Sequence, residues 1–282
     1  MALRDLIKEY GISFKKKLGQ NLLLDDNINR IMVEAAALTP EDDVIEVGAG
    51  LGALTQRLHQ HARRVLAVEI DPMFMTCLED QFGAIDNIIL FRGDILNHGL
   101  DKLFNEFLPG STSRKLVANL PYYITMPILF HFWDAPIHFS RLVIMVQEEV
   151  ALRMVAAVGA SDYGVLSLAA RYHAGVDIVH RVPRTCFRPM PKVDSCIVRL
   201  RMREAPLYPD VGKSFLLKVI RSAFMQRRKT LRNSLTKSGS FGAPKEAVLE
   251  AFEATGIDPG RRPQTLSLDE FAQLAREIRS RL

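Results

Sequence analysis

Apolar runs of strand length alternate with amphipathic segments of helix length through roughly the first 200 residues. This alternation is typical of an α/β fold, in which helices connect parallel strands. The predicted strands are 44–47, a run that ends at 69, 88–91, 115–118, 142–146, 176–182 and 193–200. The predicted helices are 28–37, 54–61, 72–82, 126–133 and 147–155. We therefore expect a sheet of about seven mostly parallel strands, with the last two antiparallel or nearly so.

The pattern changes after residue 203, where Pro206 and Pro209 indicate a linker. Apolar stripes then predict helices over 213–235, 245–255 and 267–279. Ser267 followed by Glu270 is typical of a capping box at the start of the last helix. The prediction is two domains, an α/β domain over 1–203 and a small all-helical domain over 204–282.

The first predicted strand runs into a glycine-rich turn that contains Gly48, Gly50 and Gly52. Glycines have no Cβ, so a nucleoside can lie close to the backbone at the carboxyl end of a parallel strand. Glu69 ends the next strand, where a carboxylate can accept hydrogen bonds from both ribose hydroxyls. The turn and the acid together indicate a site for an adenosine-like cofactor. The alternative is a tight strand-to-helix turn that binds no ligand.

The glycine spacing distinguishes between two classes of cofactor. A dinucleotide fingerprint has the pattern G-x-G-x-x-G, and Ala53 stands where its third glycine would be. This argues against an NAD-dependent oxidoreductase. The pattern G-x-G-x-G after an acidic strand, here with Glu46, resembles instead that of S-adenosylmethionine-dependent methyltransferases, whose ligand has no phosphate to bind.

Three further polar residues are placed to contact such a ligand. Asp94 follows the third predicted strand, where a short acid can accept a hydrogen bond from an adenine amino group, although an ordinary Asx turn explains it equally well. Gln20 and Asn21 are amides beside a glycine and can cover a ligand from above. Asp25 or Asp26 is the expected N-cap of the helix that follows.

The tetrapeptide Asn119-Leu120-Pro121-Tyr122, after the fourth predicted strand, is the most chemically specific feature of the chain. Because proline restricts the turn, the Asn119 side-chain oxygen and the Leu120 carbonyl can accept hydrogen bonds at one point. Two acceptors suit an exocyclic amine such as adenine N6, whose lone pair must be directed at the methyl group. Tyr122 is a candidate to stack on the base. The alternative is a proline turn with a core tyrosine.

Phe187 is a candidate to pack against the second face of the same base. It lies in RTCFRPMPKVDS, where Pro189 and Pro191 stiffen the loop. Taken by itself, a phenylalanine packed in the core is the simpler interpretation.

Basic residues are concentrated toward the C-terminus. Residues 201–282 contain 16 Lys and Arg against 9 Asp and Glu, a net charge of +7, whereas the first 200 residues have a net charge of −2. A basic extension on a nearly neutral domain indicates a polyanion such as RNA, although a run of charge is more often a solvated surface. The candidate RNA contacts are Lys15, Lys16, Lys17, Arg221, Arg227, Arg228, Lys229 and Arg232.

The composition excludes several other classes of protein. The chain has 282 residues, of which 48% are apolar, enough for a large core. No apolar run reaches the roughly 18 residues of a membrane span, and the N-terminus lacks a signal-peptide pattern, so we expect a cytoplasmic protein with no membrane partner. Cys77, Cys186 and Cys196 are scattered, as are the histidines, so we expect neither a disulfide framework nor a metal site.

Several motifs occur in one order along essentially the whole chain: FKKKLGQN, EVGAGLG, the acids Glu69 and Asp94, NLPYYI, FRPMPKVDS and QRRKTLRNSL. In this order the sequence resembles the ribosomal RNA adenine N6-dimethyltransferase family, and within it the bacterial members that modify small-subunit rRNA. The ordered set is far more specific than the glycine turn alone.

The resemblance implies a class I S-adenosylmethionine-dependent methyltransferase, which is Rossmann-like, with a C-terminal helical domain that binds rRNA. It implies N6-dimethylation of two adjacent adenosines in the 3′-terminal hairpin of small-subunit rRNA, late in small-subunit biogenesis. The partner would be an immature small subunit, and we expect a monomer. The implied cofactor-binding residues are Gln20, Asn21, Leu23, Gly48, Gly50, Glu69, Asp94 and Asn119. The implied target-base residues are Asn119, Leu120, Tyr122 and Phe187.

Two positions depart from the family pattern. Relatives commonly have asparagine at the position of Tyr123 and proline at that of Ala49. Neither change removes a group that the chemistry needs, but Tyr123 is placed to affect how the target pocket admits a nucleotide.

Two other functions are compatible with these motifs. The first is N6-methylation of large-subunit rRNA by the macrolide-resistance relatives, which FRPMPKVDS, QRRKTLRNSL and the C-terminal domain disfavour. The second is a mainly non-catalytic checkpoint in ribosome assembly.

Overall fold

The computed structural model describes residues 3–12, 14–15, 19–226, 228–237 and 242–282. The strands are β1 (Leu22–Leu23), β2 (Asp42–Val47), β3 (Arg64–Glu69), β4 (Ile88–Arg92), β5 (Ser113–Asn119), β6 (Arg141–Gln147), β7 (Ala174–Val182), β8 (Phe187–Arg188) and β9 (Ser195–Met202). The α-helices are α1 (Leu3–Glu9), α2 (Asp26–Ala36), α3 (Thr55–Leu58), α4 (Pro72–Phe82), α5 (Leu100–Phe107), α6 (Thr125–Trp133), α7 (Glu148–Val155), α8 (Val165–His173), α9 (Lys213–Phe224), α10 (Leu231–Leu235), α11 (Lys245–Thr255) and α12 (Leu268–Arg279). Within the described ranges, no helix combines the length and the apolar character needed to cross a bilayer.

Seven of the strands form one sheet in the order β4-β3-β2-β5-β6-β9-β7. The pairs β3–β4, β2–β3, β2–β5 and β5–β6 are parallel, whereas β9 is antiparallel to β6, with Val143 opposite Arg199. The mostly parallel sheet with intervening helices confirms the predicted fold class. The short strands β1 and β8 pair with each other outside this sheet, and two residues are too few for a periodic pattern to predict.

The chain order reverses between β2 and β5. From β2 the chain adds β3 and then β4 on one side, and it later adds β5 and β6 on the other. The connections at such a switch point leave in opposite directions, and a crevice opens there beyond the carboxyl ends of the strands. The topology therefore places a ligand site at the ends of β2 and β5.

A buried ion pair joins β2 to β5 near the amino ends of these strands. The Nζ atom of Lys115 donates to Asp42 Oδ2 and to the Ala37 carbonyl, each at 2.7 Å. Burial disfavours the charged form of Asp42, but hydrogen bonds from Lys115 and Ser113 outweigh burial and lower its pKa. Both charges are thus satisfied, and the pair helps to hold the register of the two strands that flank the switch point.

The chain divides into two compact units. One comprises Met1–Ala151 and Asp177–Met202, and the other comprises Leu152–Val176 and Arg203–Leu282. The last boundary lies where the sequence pattern changes. Leu152–Val176, however, groups with the C-terminal helices, although its last three residues begin β7. This differs from the predicted boundary of 1–203. This segment contains α8, which the sequence analysis did not predict.

The C-terminal unit has two helices where the sequence analysis predicts one over 213–235. Helix α9 ends at Phe224, and Thr230 caps a new helix by accepting from the N–H of Asn233 at 3.4 Å. The N–H groups of Leu231 and Arg232 donate to carbonyls of the 259–261 turn, at 2.8 and 3.0 Å. These tertiary bonds end the continuous helix that the apolar stripe predicts. The predicted capping box is confirmed, because the Glu270 N–H donates to Ser267 Oγ at 3.1 Å and the Ser267 N–H donates to Glu270 Oε2 at 2.7 Å.

Gly52 packs closely against α4, so a larger residue there should destabilise the fold. It has a φ of +83°, and a Cβ there would overlap Phe82 and approach Leu78 Cδ2 within 3.0 Å. We expect Gly52→Ala to lower the free energy of unfolding by about 2–4 kcal/mol, because it combines backbone strain with overpacking against α4. Gly110→Ala is the matched control, since its φ is +71° but no atom lies within 4 Å. We expect it to cost about 1 kcal/mol. If urea unfolding showed the same loss of stability for both variants, packing against α4 would not be the cause of the loss in Gly52→Ala.

Candidate functional site

A pocket that is partly open to solvent lies at the carboxyl ends of β2, β3, β4 and β5. It is lined by residues 19–23, 46–51, 53–54, 68–70, 93–95 and 119–124, together with Asn29 and Phe74. The pocket therefore lies at the switch point. It brings together the glycine turn, the two acids and the Asn-Leu-Pro-Tyr segment.

Glu69 is the polar centre of the pocket and is only 5% exposed. Its Oε2 accepts a hydrogen bond from the Gly50 N–H at 2.8 Å. Its Oε1 accepts from the N–H groups of Ile70 and Asp71, at 2.9 and 2.8 Å. Burial raises the pKa of Glu69, and these three N–H groups oppose that shift. The carboxylate thus joins the glycine turn to the start of α4 and still has lone pairs for a ligand.

Glu46 is a second buried acid in the wall, on β2. The Thr55 hydroxyl donates to its Oε2 at 2.6 Å. Burial raises the pKa of Glu46 to about 8, and the neighbouring charge of Glu69 adds to this shift. Glu46 is therefore neutral at neutral pH. The sequence motif indicated an acid at this position but not its protonation.

The segment before β1 lies against the pocket through Asp71. The Gln20 side chain donates to Asp71 Oδ2 at 2.7 Å, and the Lys15 ammonium lies 3.0 Å from the same carboxylate. Gln20 Oε1 also accepts from the Lys15 N–H at 2.7 Å. Gln20, Asn21 and Leu23 all line the pocket, as the sequence analysis expected. Lys15, a predicted RNA contact, is 46% exposed, and its charge is paired with the buried carboxylate of Asp71.

Asp94 lines the pocket and also begins a 3-10 turn at Ile95–Asn97. Its Oδ1 accepts a hydrogen bond from the Leu96 N–H at 3.0 Å. The two hypotheses for Asp94 are therefore compatible, since the turn holds the carboxylate in the pocket wall.

Asn119 is the last residue of β5 and lines the pocket beside Leu120. The Asn119 Nδ2 donates to the Asn21 carbonyl at 3.4 Å, so the amide is oriented with Oδ1 as the remaining acceptor. The Leu120 N–H donates to the Met145 carbonyl of β6 at 3.3 Å. No group of the described residues donates to the Leu120 carbonyl. The two predicted acceptors are therefore available in one short segment.

The two predicted aromatic residues lie in different surroundings. Tyr122 lines the pocket, and its hydroxyl is 2.7 Å from Ser195 Oγ. Phe187 is 3% exposed and packs in the core with Leu23 and Val182 instead of lining the pocket. The reason is its place in β8, where it is opposite Leu23. The structure does not form the expected sandwich of Tyr122 and Phe187.

The geometry agrees with what comparison with known proteins shows. A family model described as "Ribosomal RNA adenine dimethylase" matches residues 11–280. The chain belongs to the ribosomal RNA adenine dimethylase family. The family and fold make it an S-adenosylmethionine-dependent methyltransferase, which confirms the predicted family, enzyme class and cofactor.

Relatives in this family cover nearly the whole chain. Ribosomal RNA small subunit methyltransferase A from Pelotomaculum thermopropionicum is 45% identical over 278 residues, which cover 97% of this chain and 94% of that protein. The protein of the same name from Moorella thermoacetica is 43% identical over 277 residues, or 97% and 95% of the two chains.

Two solved structures of similar proteins share the fold. A dimethyladenosine transferase from Plasmodium falciparum has a TM-score of 0.77 at 26% identity, over 90% of this chain and 95% of that one. The 23S rRNA methyltransferase ErmE has a TM-score of 0.69 at 25% identity, over 92% and 99%.

The pocket of this dimethylase fits the cofactor of the family. A Cβ at Gly50 would come within 3.2 Å of Leu22 Cδ2, so a side chain there would narrow the space over the turn. Glu69 presents a carboxylate with spare acceptor capacity at the tip of β3. A nucleoside needs this combination of close backbone and a ribose acceptor.

The remaining predicted RNA contacts lie in the C-terminal unit of the dimethylase. Arg228, Lys229 and Arg232 are exposed, and so is Arg221 in the last turn of α9. Arg228 and Lys229 lie in the turn between α9 and α10, not on a helix as predicted. Lys16, Lys17 and Arg227 lie outside the described residues.

One polar residue of the pocket was not predicted from the sequence. Asn29 is buried on α2 and lines the pocket. The available signal was a polar residue next to Ile28 on the apolar face of that helix. Tyr123, which departs from the family pattern, is 55% exposed at the pocket, with its ring close to Gly19.

Glu46 generates a prediction about pH. Its pKa is 4.5 in an ordinary environment and about 8 in the fold, so between these values the folded state holds a proton that the unfolded chain releases. Protonated Glu46 therefore makes its full contribution to the free energy of unfolding below about pH 4.5, and this contribution is lost as the pH rises toward 8. We expect Glu46→Gln, which cannot ionise, to gain stability relative to the parent by up to about 1.4 kcal/mol per pH unit over this range.

Urea unfolding from pH 5 to pH 8.5 measures this difference in stability. Glu34→Gln, an exposed acid on α2, is the control and should show no such gain. A difference between Glu46→Gln and the parent that does not change with pH would refute the assignment of a neutral Glu46.

Proposed function

We propose that the protein transfers methyl groups from S-adenosylmethionine to N6 of two adjacent adenosines in the 3′-terminal hairpin of small-subunit rRNA. The substrate is an immature small subunit late in biogenesis. The observation that carries the choice of subunit is the 40–45% identity to proteins named ribosomal RNA small subunit methyltransferase A, over 96–98% of this chain. ErmE, which is named for 23S rRNA, is 25% identical.

The acceptors at the end of β5 are proposed to activate the target amine. The N6 lone pair of adenine is delocalised into the ring, so the amine is a weak nucleophile. The Asn119 Oδ1 and the Leu120 carbonyl accept from the two N–H groups and favour a tetrahedral nitrogen. S-adenosylmethionine, when bound, supplies a methyl group on a good leaving group. The protein then acts by positioning, and no strong base is needed because the methylated nitrogen is acidic.

The pocket wall is proposed to hold the cofactor by its nucleoside. Glu69 accepts from the ribose hydroxyls, and Asp94 accepts from the adenine amino group. Gly48 and Gly50 provide the close backbone, and Asn119 contacts both ligands. Gln20, Asn21 and Leu23 cover the ligand from the side of β1. This proposal is supported by the position of all eight residues in one pocket.

Tyr122 is proposed to stack on the target adenine. Its hydroxyl bond to Ser195 fixes one edge of the ring, and the residue lines the pocket two positions after Leu120. An unpaired base gains about 1–3 kcal/mol from stacking on an aromatic side chain. Phe187 packs in the core with Leu23 and is not proposed to contact the base.

The C-terminal unit is proposed to bind the rRNA backbone through Arg221, Arg228, Lys229 and Arg232, with Arg227 as a further candidate. Lysine and arginine contacts to phosphates release counterions and give affinity that depends on salt. We propose a cytoplasmic monomer with no membrane partner.

The test of the proposed function is transfer of labelled methyl groups to immature small subunits, naked small-subunit rRNA and large-subunit rRNA, with the modified nucleoside identified by mass. We expect N6-dimethyladenosine on immature small subunits. Label on large-subunit rRNA alone would instead support the ErmE-type function. Cofactor binding without any transfer would support a non-catalytic assembly checkpoint.

Asn119 generates a prediction about catalysis. We expect Asn119→Ala to lower kcat by about a hundredfold to a thousandfold, because one of two acceptors for the amine is lost. The fold should be retained, since Asn119 is only partly buried. Asn27→Ala, an exposed asparagine on α2 outside the pocket, is the control and should retain the parent kcat. A parent-like kcat for Asn119→Ala in single-turnover assays would exclude the proposed acceptor role.

A further inference from the structure

Two basic residues on the sheet-containing unit, Arg188 and Lys192, are not among the candidate RNA contacts named above. Arg188, Met190 and Lys192 follow Phe187 in the chain, and we call these three residues the β8 patch. All three are exposed, Met190 to 62%. They belong to the same compact unit as the pocket.

The register of β1 and β8 places Arg188 beside the pocket. Arg188 is directly opposite Leu22, and Phe187 is opposite Leu23. Directly opposite residues of an antiparallel pair project from the same face, and successive residues alternate between faces. Leu22 lines the pocket and reaches to within 3.2 Å of a Cβ built on Gly50. Leu23 also lines the pocket, but it packs in the core together with Phe187. Arg188 therefore lies on the same face of the β1–β8 pair as Leu22, beside the glycine turn.

The charges of the β8 patch are not neutralised by any residue in the described part of the chain. Arg188 and Lys192 have no ion-pair partner among the residues that the structure describes. Some other cations of this unit are paired, such as Arg181 with Glu148 at 3.4 Å and Lys15 with Asp71 at 3.0 Å. An exposed guanidinium with no partner can form two parallel hydrogen bonds to a phosphate.

The loop that carries the patch is held in place by Arg184. Its backbone N–H donates to Asp194 Oδ1, and its guanidinium donates to the Lys192 carbonyl, both at 3.0 Å. Asp194 is tied in turn to α7, because its carbonyl accepts from the Glu148 N–H at 3.0 Å. These bonds hold the backbone of the loop at Lys192 and Asp194, which reduces the entropy cost of ordering the loop when a partner binds.

We propose that the β8 patch binds the RNA backbone beside the target adenosine, with Arg188 on a phosphate that flanks the nucleotide in the pocket and Lys192 on a neighbouring phosphate. The inference rests on the proposed function. Single-stranded RNA fits better than an acidic protein segment, because the adjoining pocket has the acceptors and the aromatic side chain for an extruded base. The exposed Met190 thioether offers an apolar contact between the two cations.

The test measures binding of a short unstructured RNA, made of uridines with one central adenosine, over a series of salt concentrations and with S-adenosylhomocysteine present. We expect Arg188→Ala to weaken the RNA affinity about tenfold and to reduce the slope of log affinity against log salt by about 0.7. Arg188→Lys should keep the slope, because the charge remains. Arg30→Ala, which removes an exposed arginine on α2 that is paired with Glu34, should change neither quantity.

Two further measurements separate the alternatives. We expect calorimetry to show that Arg188→Ala binds S-adenosylhomocysteine as tightly as the parent protein does. A loss of this affinity would overturn the proposal, because it would show that the guanidinium contacts the cofactor. The proposal would also be overturned if Arg188→Ala had the same RNA affinity and the same salt slope as Arg30→Ala. Failure of the parent protein to methylate any rRNA would count against the proposed function. Methylation by the parent with unchanged RNA binding by Arg188→Ala would reject the inference alone.

Discussion

The pocket depends on one buried carboxylate. Glu69 accepts three backbone N–H groups, one from the glycine turn after β2 and two from the segment that leads into α4. A buried carboxylate is stable only when its oxygens are satisfied, so its position determines where both backbone segments lie. The atoms proposed to bind ribose are the same atoms that hold the glycine turn. Cofactor binding and the local fold therefore share one set of interactions.

Asp71, two residues further on, extends this network to the N-terminal segment. It is buried, caps α4 through the Met73 N–H at 3.0 Å, and accepts from Gln20 and Lys15. A segment with little secondary structure of its own is thus positioned by side-chain bonds to the start of a helix. This explains why residues far from the glycine turn in sequence line the same pocket.

Local patterns in the sequence predicted much of the fold and of the cofactor site. Strand-length apolar runs and the turn at Gly48 and Gly50 depend on neighbouring residues, so they are visible without tertiary structure. The same holds for Glu69, whose place at a strand end follows from the alternation. The two-residue strands β1 and β8, helix α8 and the break after Phe224 were missed, because they depend on contacts between distant segments.

The sequence by itself determined the α/β class, the family and the set of residues at the strand ends, because parallel strands bring their carboxyl ends to one edge. Only the tertiary structure decided the state of each side chain. Burial makes Glu46 a neutral acid, and pairing with Asp71 occupies Lys15. Strand register turns Phe187 into the core and places Arg188, which is exposed, opposite Leu22. Burial, pairing and register are properties of residues brought together from distant positions, so no local pattern can reveal them.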